Sequence, residues 1–152
     1  MNVIDLRSDI EQIMKDTEQD LDKIERDRKE NYERRDVYQN LCIQAEYADY
    51  KNNPVEINAL NEIFDAYNER CNNYSDYKNQ YTSLLGHLRE FIGFLSKLDP
   101  VNRITSNAYL IFEMQRKELY NSYLELYSST QNSITRATVI LTNLTKSPKS
   151  IT

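Results

Sequence analysis

The sequence predicts an all-α fold, an elongated antiparallel three-helix bundle or coiled coil with helices over about 3–50, 54–98 and 103–145. Three observations carry that expectation. The 152 residues include only two glycines and three prolines, too few to punctuate a β-rich fold. The first 50 residues contain neither glycine nor proline. Residues 53–100 repeat in heptads, with inward positions Ile57, Leu60, Phe64, Tyr67, Cys71, Tyr74, Lys78, Tyr81, Leu85, Leu88, Ile92 and Leu95. Eleven of these twelve are apolar or aromatic, and Lys78 is the exception.

The first helix opens on a stripe of Val3, Leu6, Ile10, Ile13, Thr17, Leu21 and Ile24, and the stripe resumes at Tyr38, Leu41, Ala45 and Ala48. Between them Glu25–Asp36 carries ten charged residues in twelve. Good helix formers and opposite charges three and four apart make this block continuous solvated helix. A break within it would instead give four helices. Asn53, Pro54 and Glu56 have the order of an N-cap, a first helical residue and a capping-box carboxylate. The second turn falls at Leu98–Asn102, with Asp99 or Asn102 as the next cap. The third helix points Ala108 or Tyr109, then Phe112, Leu119, Tyr123, Leu126, Thr130, Ala137, Ile140 and Leu144 inward. Residues 1–145 are expected to form one helical-bundle domain and 146–152 a disordered basic tail.

Antiparallel pairing places residues of the first two helices opposite each other when their numbers add to about 105, and of the last two when they add to about 202. Apolar levels then meet at both ends, and a polar, tyrosine-lined middle contains Asp27, Lys78, Tyr74 and Tyr123. Lys78 comes level with Asp27, which predicts an ion pair or an outward-snorkelling lysine. Cys42 and Cys71 are about eight residues out of level, too far for a disulfide, and are expected to be free. Gly86 and Gly93 are either tolerated surface glycines or a seat for another helix.

The net charge of −5 is unevenly spread. Residues 1–53 hold 14 acidic and 9 basic side chains, and residues 101–152 hold 3 and 6. Without a large basic block, general nucleic-acid binding is disfavoured. No run of 18 apolar residues suggests a membrane span, and the N-terminus lacks a secretory pattern, so an intracellular location, cytoplasmic or nuclear, is expected. His87 is the only histidine and holds an outward position, the glycines form no phosphate loop, and no Glu-x-x-His pair exists. The expectation is therefore a non-enzyme without cofactor, metal or small-molecule substrate.

One end carries more apolar side chains than two companion helices cover. Phe91, Phe94, Leu98, Leu110 and Ile111 are the candidate partner-binding residues. The expected function is a helical scaffold or adaptor, a subunit of a larger homo- or hetero-oligomeric assembly held by coiled-coil contacts. The alternative is an acidic inhibitor or mimic, of the kind found in viruses and mobile elements, blocking a basic site with Asp16, Glu18, Asp20 and Asp22.

Overall fold

The computed structural model describes residues 1–48 and 53–146, with side chains as far as Leu144. It is an all-α three-helix bundle: α1 spans Val3–Tyr47, α2 Pro54–Leu95 and α3 Ala108–Lys146. The expected disordered tail falls largely outside the described residues, and Lys146 belongs to α3. The chain forms two compact units, each built from a stretch of all three helices. The first comprises Met1–Arg26 and Ser75–Leu124; the second comprises Asp27–Tyr74 and the chain from Glu125 onward.

A seven-residue spacing runs through every helix. In α1, Val3, Ile10, Thr17, Ile24, Asn31 and Ala45 are buried, and Tyr38, the remaining member of the series, is half-buried. In α2 the series Leu60, Tyr67, Tyr74, Tyr81, Leu88 and Leu95 is buried, and so is a second one, Ile63, Arg70, Tyr77 and Leu84. The second series departs from the expected single stripe. Since α2 packs on both neighbours, it needs two seams. In α3 the buried Tyr123, Thr130 and Ala137 continue the spacing of Tyr109 and Arg116.

The charged block Glu25–Asp36 is unbroken helix, as its composition predicted. It is not wholly solvated, because Asn31 is buried within it. Leu41, expected in the core, faces outward instead, while Tyr38, Cys42 and Ala45 turn inward. The start of α2 follows its signal closely. Pro54 is the first helical residue, Asn53 Oδ1 accepts the Glu56 amide at 3.3 Å, and Asn53 Nδ2 donates to Glu56 Oε2 at 3.0 Å.

The second connection is longer than expected, because α2 ends at Leu95 and α3 begins only at Ala108. Its irregular residues satisfy the start of α1, where the first amides of a helix have no internal partner. Val3 N–H donates to Asn102 O at 2.9 Å and Ile4 N–H to Pro100 O at 3.2 Å. Ile104 N–H returns a bond to Met1 O at 3.1 Å, within an isolated bridge between Asn2 and Arg103. Asn2 Oδ1 accepts the Asp5 amide at 2.9 Å and completes the cap. Neither expected cap, Asp99 or Asn102, starts α3: Asp99 accepts Val101 N–H at 3.2 Å inside the loop, and it is Ser106 Oγ that takes the Ala108 amide at 3.1 Å.

The core of the first unit is Val3, Leu6, Ile10, Ile13, Leu84, Leu88 and Leu95, with Leu98, Ile104 and Phe112 packed against it. The core of the second is smaller and less aliphatic: Ala59, Ile63, Ala66, Tyr67, Ile134 and Ala137, flanked by Tyr38, Ile140 and Leu141. The antiparallel register holds in each unit. In the second, Tyr38 stacks on Tyr67 with ring centroids 5.7 Å apart, a pair whose numbers add to 105. In the first, Tyr77 meets Tyr123 edge-on at 5.5 Å, and Phe91 meets Phe112 at 5.7 Å.

Among the described residues, a Cβ added to Gly86 or Gly93 would meet no atom within 4 Å, so neither glycine serves as a seat for another of the described helices. Both sit in helical conformation at positive-φ-free backbone, where the missing side chain only adds unfolded-state entropy. Gly86→Ala and Gly93→Ala are each expected to raise stability by about 0.5–1 kcal/mol in urea denaturation.

Candidate functional site

Three groups of side chains stand out: a buried polar layer in the second unit, an ion-pair cluster in the first, and an apolar surface in the first.

The polar layer is centred on Arg70, which is 3 % exposed, as is Asn31. The Arg70 guanidinium donates through Nε to Thr130 Oγ1 at 2.5 Å and through one terminal nitrogen to Asn31 Oδ1 at 3.0 Å. The other terminal nitrogen donates to Tyr127 O and Gln131 Oε1, both at 3.0 Å. Its carbon lies 3.9 Å from the Tyr127 ring centroid and 5.7 Å from that of Tyr67. All four acceptors are neutral oxygens, so the cation is held by dipoles and aromatic faces. The Asn31 amide is used at both ends, because its Nδ2 donates to Tyr74 Oη at 2.8 Å and to Asp27 O at 2.6 Å. Thr130 in turn donates its hydroxyl back to the α3 backbone, at Leu126 O 2.8 Å away.

Sequence reasoning placed Tyr74 in a polar middle but missed Arg70 and Asn31. Both follow from counting in sevens: Asn31 from Ile24, and Arg70 from Ile63 towards Tyr77. Lys78, by contrast, is half exposed and pairs with Glu25 at 3.4 Å in the first unit, in place of the expected Asp27.

In the first unit, Arg116 forks onto Asp20, with Nε–Oδ2 at 3.0 Å and a second bond at 3.4 Å. Asp16 lies 3.9 Å from the same guanidinium and accepts the Gln12 amide at 3.0 Å. Burial pushes the Asp20 carboxyl above the usual carboxylate range, and Asp16 adds to the rise while Arg116 opposes it. Nearby Tyr81 is fully buried, and that burial drives its phenol well above its ordinary value. Lys23 donates to Tyr120 Oη at 3.1 Å.

The five candidate partner-binding residues separate into two groups. Phe91 and Leu98 pack against the core of the first unit. Phe94, Leu110 and Ile111 remain 52 %, 64 % and 48 % exposed. The Phe94 ring lies 6.1 Å from Phe91, so it extends the packed aromatic pair outward. Leu110 and Met114, one turn apart on α3, line an open groove of about 550 Å³ with Tyr109, Glu113 and Lys117. Met114 was missed, although its position four residues after Leu110 is the helical signal for a shared face. Hydrogen bonds from Tyr109 and Lys117 hold the Glu113 carboxyl below its ordinary value.

His87 is exposed and lines a separate open groove of about 420 Å³ between α2 and α3, with Leu84 and Leu119. Cys42 and Cys71 are both free thiols of the second unit, raised above their ordinary pKa mainly by burial. Among the described residues, no group of three His, Cys, Asp or Glu could hold a metal ion, and no helix is long and apolar enough to cross a membrane. The chain matches no protein-family model, and neither a curated protein nor a solved structure similar to it is found.

Arg70→Leu is expected to cost about 2–4 kcal/mol in urea denaturation, because it strands Asn31 Oδ1 in a dry interior. Adding Asn31→Leu should recover a large part of that loss, giving a double variant well above the sum of the singles. A double variant as unstable as the additive sum would show that the two residues act separately.

The raised Asp20 carboxyl gives a pH dependence of defined sign. The folded state keeps this proton at pH values where the unfolded chain has released it. The stability advantage of wild type over Asp20→Asn should therefore be largest at low pH and shrink as pH rises through the folded-state value. Carboxyl-carbon NMR should show the Asp20 midpoint moving higher still in Arg116→Met, which removes the opposing charge.

Proposed function

We propose that the protein is a non-catalytic helical interaction protein, a subunit or adaptor of a larger assembly that docks a protein partner on the apolar surface of its first unit. The observation that carries this reading is the exposure of Phe94, Leu110 and Ile111 after the chain's own covering elements have been placed. The start of α1 already packs there through Val3 and Leu6, and the second connection contributes Leu98 and Ile104. Of the exposed apolar side chains, Leu110 also lines an open groove with Met114, a site suited to the apolar face of a partner helix.

The acidic-inhibitor reading is less well supported. Asp16 and Asp20 are engaged by Arg116, and Glu18 lies 3.9 Å from Arg89, so three of its four carboxylates face cations of this chain. The two readings differ in salt response, since apolar docking persists at ionic strengths that screen charge pairing.

The test is isolation of the native complex at high and low salt, wild type beside Phe94→Asp/Ile111→Asp. The expected result is a protein partner retained by wild type at both salt concentrations and lost from the double variant, with both chains equally helical by circular dichroism. A partner lost from wild type at high salt, or unaffected by the double substitution, would overturn the apolar docking site.

A further inference from the structure

From Val37 to Ala45 the chain carries no charged residue, directly after a block with ten charges in twelve. This stretch of α1 belongs to the second unit and has two apolar faces. The inner one presents Tyr38, stacked on Tyr67, and the buried Ala45. On the outer one Val37, Leu41, Ile43 and Tyr47 are 55 %, 37 %, 43 % and 88 % exposed. A helix face that serves only to meet water has no need of this composition, and the preceding turns of the same helix show the charged alternative.

The outer face is also self-complementary. Val37, Asn40, Gln44 and Tyr47 follow a 3-4 spacing and form one narrow strip, with Leu41 along one flank and Ile43 along the other. The strip is symmetric about residue 42: Val37 matches Tyr47 and Asn40 matches Gln44. Two such strips related by a two-fold axis meet antiparallel, each residue i contacting j while j contacts i. Val37 then packs on Tyr47 of the second copy, and Asn40 can exchange carboxamide hydrogen bonds with Gln44 of the second copy. Close to the axis, Leu41 and Ile43 each approach their own counterparts. The pairing brings no like charges together.

We propose that the outer face of α1 between Val37 and Tyr47 is a homodimer interface, occupied by the same strip of a second copy of this chain in antiparallel orientation. It stands apart from the partner surface proposed above, which uses residues of the first unit. Eleven residues of helix span about 16 Å, so the interface is small and the dimer weak and concentration-dependent.

The experiment is light scattering after size-exclusion chromatography on the full chain across roughly 1–500 µM, a range suited to a small interface. Wild type should rise from its 18.0 kDa monomer mass towards twice that value. Val37→Asp and Leu41→Asp should each hold the chain monomeric, while Val139→Asp, an exposed site on α3, should leave the rise unchanged. Because all three positions are exposed, melting curves should confirm folding. Orientation is read separately: in a Cys42→Ser background, Ile43→Cys should form an intermolecular disulfide many-fold faster than Val139→Cys. A monomer at every concentration overturns the proposal. So does a dimer that survives Leu41→Asp but is lost in Phe94→Asp, a result that would move self-association to the first unit and leave the partner-docking reading standing.

Discussion

Three helices that repeat every seven residues must find an inward side chain at every repeat, and this chain does not place an aliphatic residue at each of them. The seams therefore pass through Thr17 in the first unit and through Asn31, Arg70 and Thr130 in the second. Each polar group so buried needs a partner at one place and orientation, or it costs the free energy of an unmade hydrogen bond. Thr17 solves this locally by donating to Ile13 O at 2.7 Å. Arg70 cannot, because a guanidinium has five donors and its own helix offers no free acceptor. It draws them from Asn31 on α1 and from Tyr127, Thr130 and Gln131 on α3.

This dependence gives the second unit a definite register. Its apolar contacts are made by alanines, tyrosines and a few isoleucines, which could be re-formed after a heptad slip at modest cost. The Arg70 layer could not, because a slip of seven residues would replace Asn31 by Ile24 or Tyr38 and leave the cation without its α1 acceptor. Polar groups at seam positions specify register in coiled coils for the same reason. The first unit, with Leu6, Ile10, Ile13, Leu84, Leu88 and Leu95 in contact, relies on aliphatic packing and places its main ion pair, Asp20–Arg116, nearer the edge.

The fold was legible because helix punctuation is local chemistry. Asn53, Pro54 and Glu56 announce the start of α2, and the absence of glycine and proline announces the length of α1. What escaped the sequence had non-local causes. The seven-residue series from Ile63 to Tyr77 passes through Arg70, but whether a cation can be accommodated there depends on acceptors 39 to 61 residues away. The outward turn of Leu41 escaped because a short apolar run offers two candidate faces, and only the continuation of the series from Ile24 through Asn31 to Tyr38 chooses between them. The delayed start of α3 escaped because Val101–Asn107 has no strong breaker beyond Pro100, and its conformation is set by bonds to the first residues of the chain. Of the candidate site, the apolar identity was readable. The separation of packed Phe91 and Leu98 from exposed Phe94, Leu110 and Ile111 was not, because it depends on where the loop lies.

Charge placement sharpens the functional argument. Elsewhere on α1 many outward positions hold Asp, Glu, Lys or Arg, and several pair along the helix, as Arg7 does with Glu11 and Arg34 with Glu30. Such pairs add little stability but keep a helix face wet and unattractive to other chains. The same protection is absent at Val37–Ala45 and at Phe94, Leu110 and Ile111, the two surfaces proposed above to meet other chains. Single exposed apolar residues need no explanation. Charge absent from a whole helical strip, and apolar side chains left over beside an already packed core, are the observations from which both proposed interfaces are argued.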